Sequence, residues 1–256
     1  MPDNIKIVTF NLRHDADRWL ERRKLVRAGL ARENADVIAL QEVALPIQQA
    51  QLIADDLNDE LGSLLYQPYV QPKWSGEPEG IGFLSKLPVI DYGFIHLPEG
   101  GRVAQRIRVS KGGSTLDIIN THLHHLPVDD EIIRLPQANA ILEWAAETSS
   151  KVENCRWVIT GDLNAQPNSS TINQFTKFYK SAYSTVHGKE PLCTFPTPLV
   201  AETGFGYQPN TIDYILFDPE SIDVVNIRLI MTEPDIQDST LYPSDHFGLS
   251  AEFTVK

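Results

Sequence analysis

Cysteine is scarce in this 256-residue chain. Cys155 and Cys193 stand alone, without C-x-x-C spacing and far below the density of a disulfide-stapled scaffold, so a reducing compartment is expected. Long apolar runs are missing as well. No stretch approaches the ~20 residues of a membrane-spanning helix, and the opening MPDNIKIVTFN lacks a basic segment followed by a long apolar one; a soluble, cytoplasmic protein with no stable membrane insertion is expected. Basic residues are outnumbered, with 22 Lys and Arg against 34 Asp and Glu. The resulting formal net charge of −12 repels polyanions and removes support for tight, sequence-independent binding along duplex DNA. A nucleotide-sized anion stays compatible if a metal and a few arginines make one cleft locally positive. Neither G-x-G-x-x-G nor G-x-x-x-x-G-K-[ST] occurs, so dinucleotide-binding and P-loop readings have no anchor.

What is present is a core-forming composition, 42% hydrophobic and 22% charged, in a length that α/β folds reach as one unit; residues 1–256 read as a single domain. Short runs rich in β-branched residues recur: IKIVTFNL, DVIALQEV, GIGFLSK, PVIDYGFI, RVAQRIRV, TLDIINTHL, RWVITGDL, TIDYILF, IDVVNIRLI and FGLSAEFTV. Between them, DADRWLERRKLVRAGLARENA, PIQQAQLIADDLNDEL and DDEIIRLPQANAILEWAAETSS carry apolar residues at helical spacing. In the first, Trp19, Leu20, Leu25, Val26 and Leu30 fall on roughly one face, with Asp15 and Asp17 at the start, where carboxylates favour the helix dipole. Many consecutive strands lack helical crossovers. The pattern therefore predicts an α/β (α+β) four-layer α/β/β/α sandwich, two mainly antiparallel sheets packed face to face with outer helices. Residues 71–80 and 188–210 form two long Gly/Pro-rich loops with aromatics, a length that is usually functional or disordered.

Polar residues end strand after strand. WVITGDLNAQP, residues 157–167, carries an apolar strand straight into Asp162 and Asn164, which are costly to dehydrate unless paired; such a strand delivers them to a polar cleft. Elsewhere VTFN ends on Asn11, VIALQE on Glu42 and IINTH on His122, TIDYIL carries Asp213, and YPSDH offers Asp245 and His246. Each alone has a bland reading as a turn residue or cap. Independent caps, however, have no reason to converge on one chemistry.

TFNLR, LQE, NTHL, GDLNA, TIDYIL and PSDH, in this order from Asn11 to His246, resemble the metal-dependent endonuclease/exonuclease/phosphatase superfamily. That is the fold of pancreatic-type deoxyribonucleases, neutral sphingomyelinases, inositol polyphosphate phosphatases and deadenylases. NTHL is similar to the deoxyribonuclease, sphingomyelinase and deadenylase side, whereas the abasic-site endonuclease branch carries a tyrosine there. The resemblance implies a Mg²⁺-dependent phosphoesterase, a phosphodiesterase or nuclease that hydrolyses its substrate by metal-assisted in-line attack of water, with Mn²⁺ able to substitute. It gives Glu42 the principal metal ligand, Asp162 the positioning of water, Asn164 donation to a non-bridging phosphate oxygen, and His122 an acid or electrostatic role.

The residues read the same way. A phosphodiester resists hydrolysis because a nucleophile must approach an anion and a poor leaving group must depart, and a hard divalent cation with fixed donors relieves both problems. Glu42 with Asn11 beside it forms an oxygen-donor set suited to Mg²⁺, and Asp245 is a further or outer-shell ligand. Gly161 lets the backbone approach closely, and Asp162 and Asn164 share one strand face if the extended geometry persists. Asp213 would hold His246, favouring the protonated ring as a donor to the phosphate.

Arg102, Arg106 and Arg108 alternate along RVAQRIRV, either as a solvated strand face or with Arg102 near the cleft, where a guanidinium can grip phosphate. Arg13 and ERRKLVR read as a solvated helix face, His124 and His125 as exposed or satisfied, and Arg134 and Gln137 as support for the NTHL strand. Trp74, Phe195, Phe205 and Tyr207 on the long loops either stack a base or pack the loops. The expected substrate is a phosphodiester such as a short or single-stranded nucleic acid or a nucleotide, handled by a monomer. Alternatives are a lipid phosphodiesterase, an inositol or nucleotide phosphatase, or a catalytically silent binding module, whose mark would be loss of Glu42, Asp162, Asn164, Asp213 or His246; none is lost.

Overall fold

In the computed structural model, which describes residues 4–126, 130–203 and 208–256, the β-branched runs build two six-stranded sheets. The first joins β1 (Ile5–Asn11), β2 (Val37–Ala44), β3 (Gln67–Pro72), β4 (Glu79–Ser85), β11 (Ile222–Ile230) and β12 (Gly248–Val255) in the order β11-β12-β1-β2-β4-β3. The second joins β5 (Val89–His96), β6 (Val103–Lys111), β7 (Ser114–His122), β8 (Trp157–Asp162), β9 (Lys180–Ser181) and β10 (Asp213–Phe217) in the order β5-β6-β7-β8-β10-β9. Each sheet has one parallel pair, β1 with β2 and β7 with β8.

Central strands are buried on both faces, which is why they read as nearly continuous apolar runs. Ile5 and Ile7 point between the sheets to meet Phe83, Ile107, Ile118 and Val158, while Val8 and Phe10 point outward against Val26 and Leu30 of α1 (Trp19–Glu33) and Ile53 and Leu57 of α2 (Gln49–Leu61). On the other side, Ile119 and Ile159 pack on Ala138 and Ile141 of α3 (Leu135–Lys151) and Phe175 of α4 (Ser170–Phe175). The result is the four-layer sandwich. No helix among the described residues is long and apolar enough to cross a membrane.

Buried polar side chains fasten the two sheets directly beneath the strand ends. Asn120 of β7 donates to the carbonyls of Leu40 and Gly82 across the core, at 2.9 Å each, and accepts from Gln41 Nε2 at 2.7 Å. With both hydrogens and the oxygen of the Asn120 amide matched, this network fixes the spacing of the layers.

Several local expectations change. Asp15 and Asp17 precede α1, which starts after Arg18 in a left-handed conformation with no side-chain cap, and Asp17 accepts from Arg13 Nε at 2.6 Å. Leu20 faces solvent, and Arg22, expected on a solvated face, is wholly buried. The connection expected over 71–80 is shorter, since β3 runs to Pro72 and β4 begins at Glu79. The 188–210 stretch contains a 3₁₀ helix, Pro198–Thr203, while Phe205 and Tyr207 lie outside the described residues. Both α4 and α5 (Ala182–His187) are too short for helical periodicity to reveal, although Ser169 and Ser181 accept the Ile172 and Ser184 amides as N-caps.

Candidate active site

Three of the singled-out residues form one line across the second sheet. His122 pairs in register with Asp162, and Asp162 with Asp213. Gly161 makes this close approach possible: it adopts φ 141°, and a Cβ there would collide with the Thr121 carbonyl oxygen of the adjacent strand. His246, just before β12, completes the group; its Nδ1 lies 3.0 Å from Asp213 Oδ2 and its Nε2 3.8 Å from Asp162 Oδ2. His122 Nε2 stands 3.5 Å from the same Asp162 oxygen.

The first sheet supplies Glu42 and Asn11. Register slips between Leu40 and Val43, and Glu42 sits in this bulge at φ 51°, a conformation that re-aims its carboxylate out of the ladder and into the cleft. Asn11, expected to offer a metal an oxygen, instead donates its amide to Glu42 Oε1 at 3.3 Å and Asp162 Oδ2 at 3.0 Å. Its oxygen is taken by the Arg13 amide at 2.9 Å, so Asn11 bridges the two carboxylates. Asn164 departs from the extended geometry: at φ 48° it folds back so that its amide reaches Asp162 Oδ1 at 2.9 Å and its side chain donates to the Leu123 carbonyl at 3.1 Å. Asp162 thereby accepts a fixed hydrogen bond on each oxygen.

Burial, followed by the neighbouring Asp213, pushes the Asp162 carboxyl up to about 7. Glu42 is also raised, by burial and then by Asp245 and Glu79. Burial works against the charge on His246, but Asp213 beside it, with Asp245 and Asp162, holds the ring well above its ordinary value. His122 goes the other way: burial, then Arg102 and Lys73, keep it well below. The surroundings therefore split the two histidines, favouring the charged form of His246 and the neutral form of His122, the residue read from the sequence in an acid or electrostatic role. Phe195, expected on a loop, packs its ring 4.8 Å from that of His246 and walls the site.

Glu42, His122, Asp162, Asn164, Phe195 and His246 line a cleft of about 860 Å³, together with three cations set among the acids Glu77, Glu79 and Asp130. Arg102, Lys73 and Arg134 are buried there beside His125. Arg102 Nη2 donates to His125 Nδ1 at 3.2 Å, and among the described residues Arg102 Nη1 has no hydrogen-bond partner. Lys73 pairs with Glu79 and, at 3.2 Å, with Glu77. Arg13 also lines the cleft, ion-paired to Asp245, contrary to its expected place on a solvated face. Arg106 and Arg108 are likewise not solvated: both are buried against the fully buried Asp117, at 3.5 and 3.6 Å. Gln137 supports the His122 strand as expected, accepting from the His124 amide at 3.0 Å and donating to the Pro98 carbonyl at 3.1 Å.

The sequence profile described as "Endonuclease/Exonuclease/phosphatase family" matches residues 8–246. The chain belongs to this family. Its members are generally hydrolases of phosphoester bonds. Nocturnin of Xenopus laevis is 23% identical over 262 residues, which cover 94% of this chain and 66% of that protein. The human Nocturnin catalytic domain, solved with a bound sulfate anion, superposes with a TM-score of 0.79 at 22% identity, covering 100% of this chain and 94% of that one. A truncated Caenorhabditis elegans TDP2 gives a TM-score of 0.75 at 19% identity over 98% of this chain and 97% of its own. Identities this low establish the fold.

The endonuclease/exonuclease/phosphatase family implies a divalent cation, and the donor chemistry here fits one. Donor atoms of His14, Glu42 and Glu79 lie within 4.8 Å of one another, and so do those of Asp162, Asp213 and His246. The crowding of Glu42 by two further carboxylates is a charge imbalance that a cation relieves. Asp245, expected as a further or outer-shell ligand, belongs to neither cluster; its Oδ2 pairs with Arg13 and its Oδ1 accepts from the Ser244 hydroxyl at 3.1 Å.

Proposed function

We propose that this protein is a divalent-metal-dependent phosphodiesterase that hydrolyses a nucleotide-type diester as a monomer in the cytoplasm, using Mg²⁺ with Mn²⁺ able to substitute. One observation carries the reading: Asp162 lies between His122 and a His246 that is itself held by Asp213, with His122, Asp162 and His246 lining a single cleft. Glu42, with Glu79 and His14 in reach, would hold the cation, which when bound would supply Lewis acidity.

The chain's own groups do the rest. Asp162, raised to about 7, accepts a proton from water near neutrality, and Asn11 and Asn164 keep its carboxylate oriented. The water oxygen forms a bond to phosphorus as the bond to the leaving ester oxygen breaks on the opposite side. His246, with Asp213 on Nδ1, directs its Nε2–H at the non-bridging oxygen where charge accumulates, and His122 donates beside it. Asn164 has a second amide hydrogen for the same phosphate, and Arg102, which lines the same cleft, offers a guanidinium with an unmatched Nη1.

The test is turnover of an activated diester such as bis(4-nitrophenyl) phosphate with Mg²⁺, with and without chelator, in wild type and Asp162→Asn. Loss in both chelator and variant supports the reading. Turnover indifferent to chelator and to Asp162→Asn overturns it.

A further inference from the structure

The edge of the second sheet carries a row of solvent-facing rings that the cleft chemistry does not use. On β5, Tyr92 and Phe94 are 42% and 45% exposed, with His96 following on the same strand face, and Trp74 from the β3–β4 connection is 50% exposed. The rings touch one another: Trp74 stacks on His96 at 5.7 Å between centroids and 26° between planes, and Phe94 lies 5.8 Å from His96.

This row is held in place and runs into the cleft. Trp74 Nε1 donates to the Arg102 carbonyl at 3.1 Å, so the indole is tied to the residue whose guanidinium faces the cleft with an unmatched Nη1. Lys73, next to Trp74 in the chain, lines the same cleft. Gly101, at φ 66°, comes so close to Ser75 that no Cβ fits between them, which locks the tryptophan loop against the turn before β6. At the far end, the Tyr92 hydroxyl donates to Gln71 Oε1 of β3 at 3.0 Å. The nearby acids share cations: Asp91 pairs with Arg106, and Glu77 and Glu79 share Lys73.

We propose that Trp74, His96 and Phe94 form a stacking track for the unpaired bases of a single-stranded nucleic acid whose backbone leaves the cleft past Arg102. The occupant follows from the chemistry. Flat rings in contact, with the tryptophan end anchored, suit bases, which all present a π-face, and the Arg102 guanidinium with its unmatched Nη1 suits the next phosphate along the strand. The proposal rests on the phosphodiesterase reading and extends it, from a nucleotide-sized ligand to a strand of several nucleotides.

Binding without cleavage tests it. Fluorescence anisotropy in chelator would compare a labelled dinucleotide with a single strand of roughly ten nucleotides, against wild type, Phe94→Ala and Trp74→Phe, with thermal melting to check folding. Wild type is expected to favour the longer strand. Phe94→Ala should weaken it about tenfold and Trp74→Phe less, while a fully abasic strand of equal charge should bind wild type no better than the intact strand binds Phe94→Ala. Equal affinity of wild type and Phe94→Ala for the long strand, or of intact and abasic strands for wild type, overturns the proposal. So does a dimer in sedimentation that Phe94→Ala dissociates, since the face would then belong to a second copy. Wild-type turnover of the small diester is read separately: its failure alongside base-dependent binding removes the catalytic reading and leaves the track.

Discussion

Asp213 and His246, 33 residues apart in the chain, meet at 3.0 Å between Oδ2 and Nδ1 with both side chains buried. The pair fixes which ring nitrogen faces the cleft and keeps the ring charged. Asp213→Asn preserves shape while removing the charge, so the ring loses its proton at lower pH and catalysis is expected to fall by ~10² to ~10⁴-fold. A steady-state pH profile of the variant should show its acid-form plateau displaced to lower pH, which simple loss of packing would not produce.

The raised Asp162 carboxyl has a consequence for stability. In the metal-free protein it stays protonated up to about 7, whereas in the unfolded chain it ionises near ~3.9. The native state therefore binds more protons between these values. This contribution is fully present below ~pH 4 and is lost as pH rises through about 7. Asp162→Asn, neutral throughout, is expected to gain up to about 3 kcal/mol relative to wild type on going from pH ~5 to pH ~8 in chelator. Urea denaturation at the two pH values checks it; a difference between wild type and variant that does not change with pH would contradict it.

Crowding of Glu42 by Asp245 and Glu79 makes cation binding stabilising. Saturating Mg²⁺ at ~100 times its dissociation constant should add about 2.7 kcal/mol to wild type, seen as a rise in melting temperature. Glu42→Gln should abolish that rise. It should also show no Mg²⁺ or Mn²⁺ heat by calorimetry where wild type does.

Arg22 is a structural centre that no motif announced. Fully buried, it donates to the carbonyls of Leu12, Asp17 and Pro243 at 2.9, 2.6 and 3.0 Å and reaches those of Arg13, His14 and Ala16. The loop that presents Arg13 and His14 to the cleft is thus wrapped around one guanidinium. Lysine has a single nitrogen and leaves most of these oxygens unmatched. Arg22→Lys is therefore expected to cost at least ~3 kcal/mol in chemical denaturation.

The strand ends were legible because apolar alternation cannot account for Asn11, Glu42, His122 and Asp162, and the consecutive polar pair Gln41–Glu42 already signals the break that becomes a bulge. Partners that meet only through register or chain return were not legible. Arg108 reads as solvated until β7 places Asp117 opposite it, and the bridge that the Asn11 amide makes between Glu42 and Asp162 needs both sheets in place. Nothing in IDYGFIH announces exposed rings either, since an edge strand has the same pattern as a central one and only the sheet order reveals which it is.

The cleft draws its acids from both layers, Glu42 from one sheet and the His122–Asp162–Asp213 line from the other, with Asn120 bridging the gap below them. Reactivity is therefore a property of the seam and of neither half. Any swelling that parts the layers by an ångström or two, as in the early stage of acid or mild-denaturant loosening, should silence the enzyme while far-ultraviolet ellipticity still reports intact strands and helices.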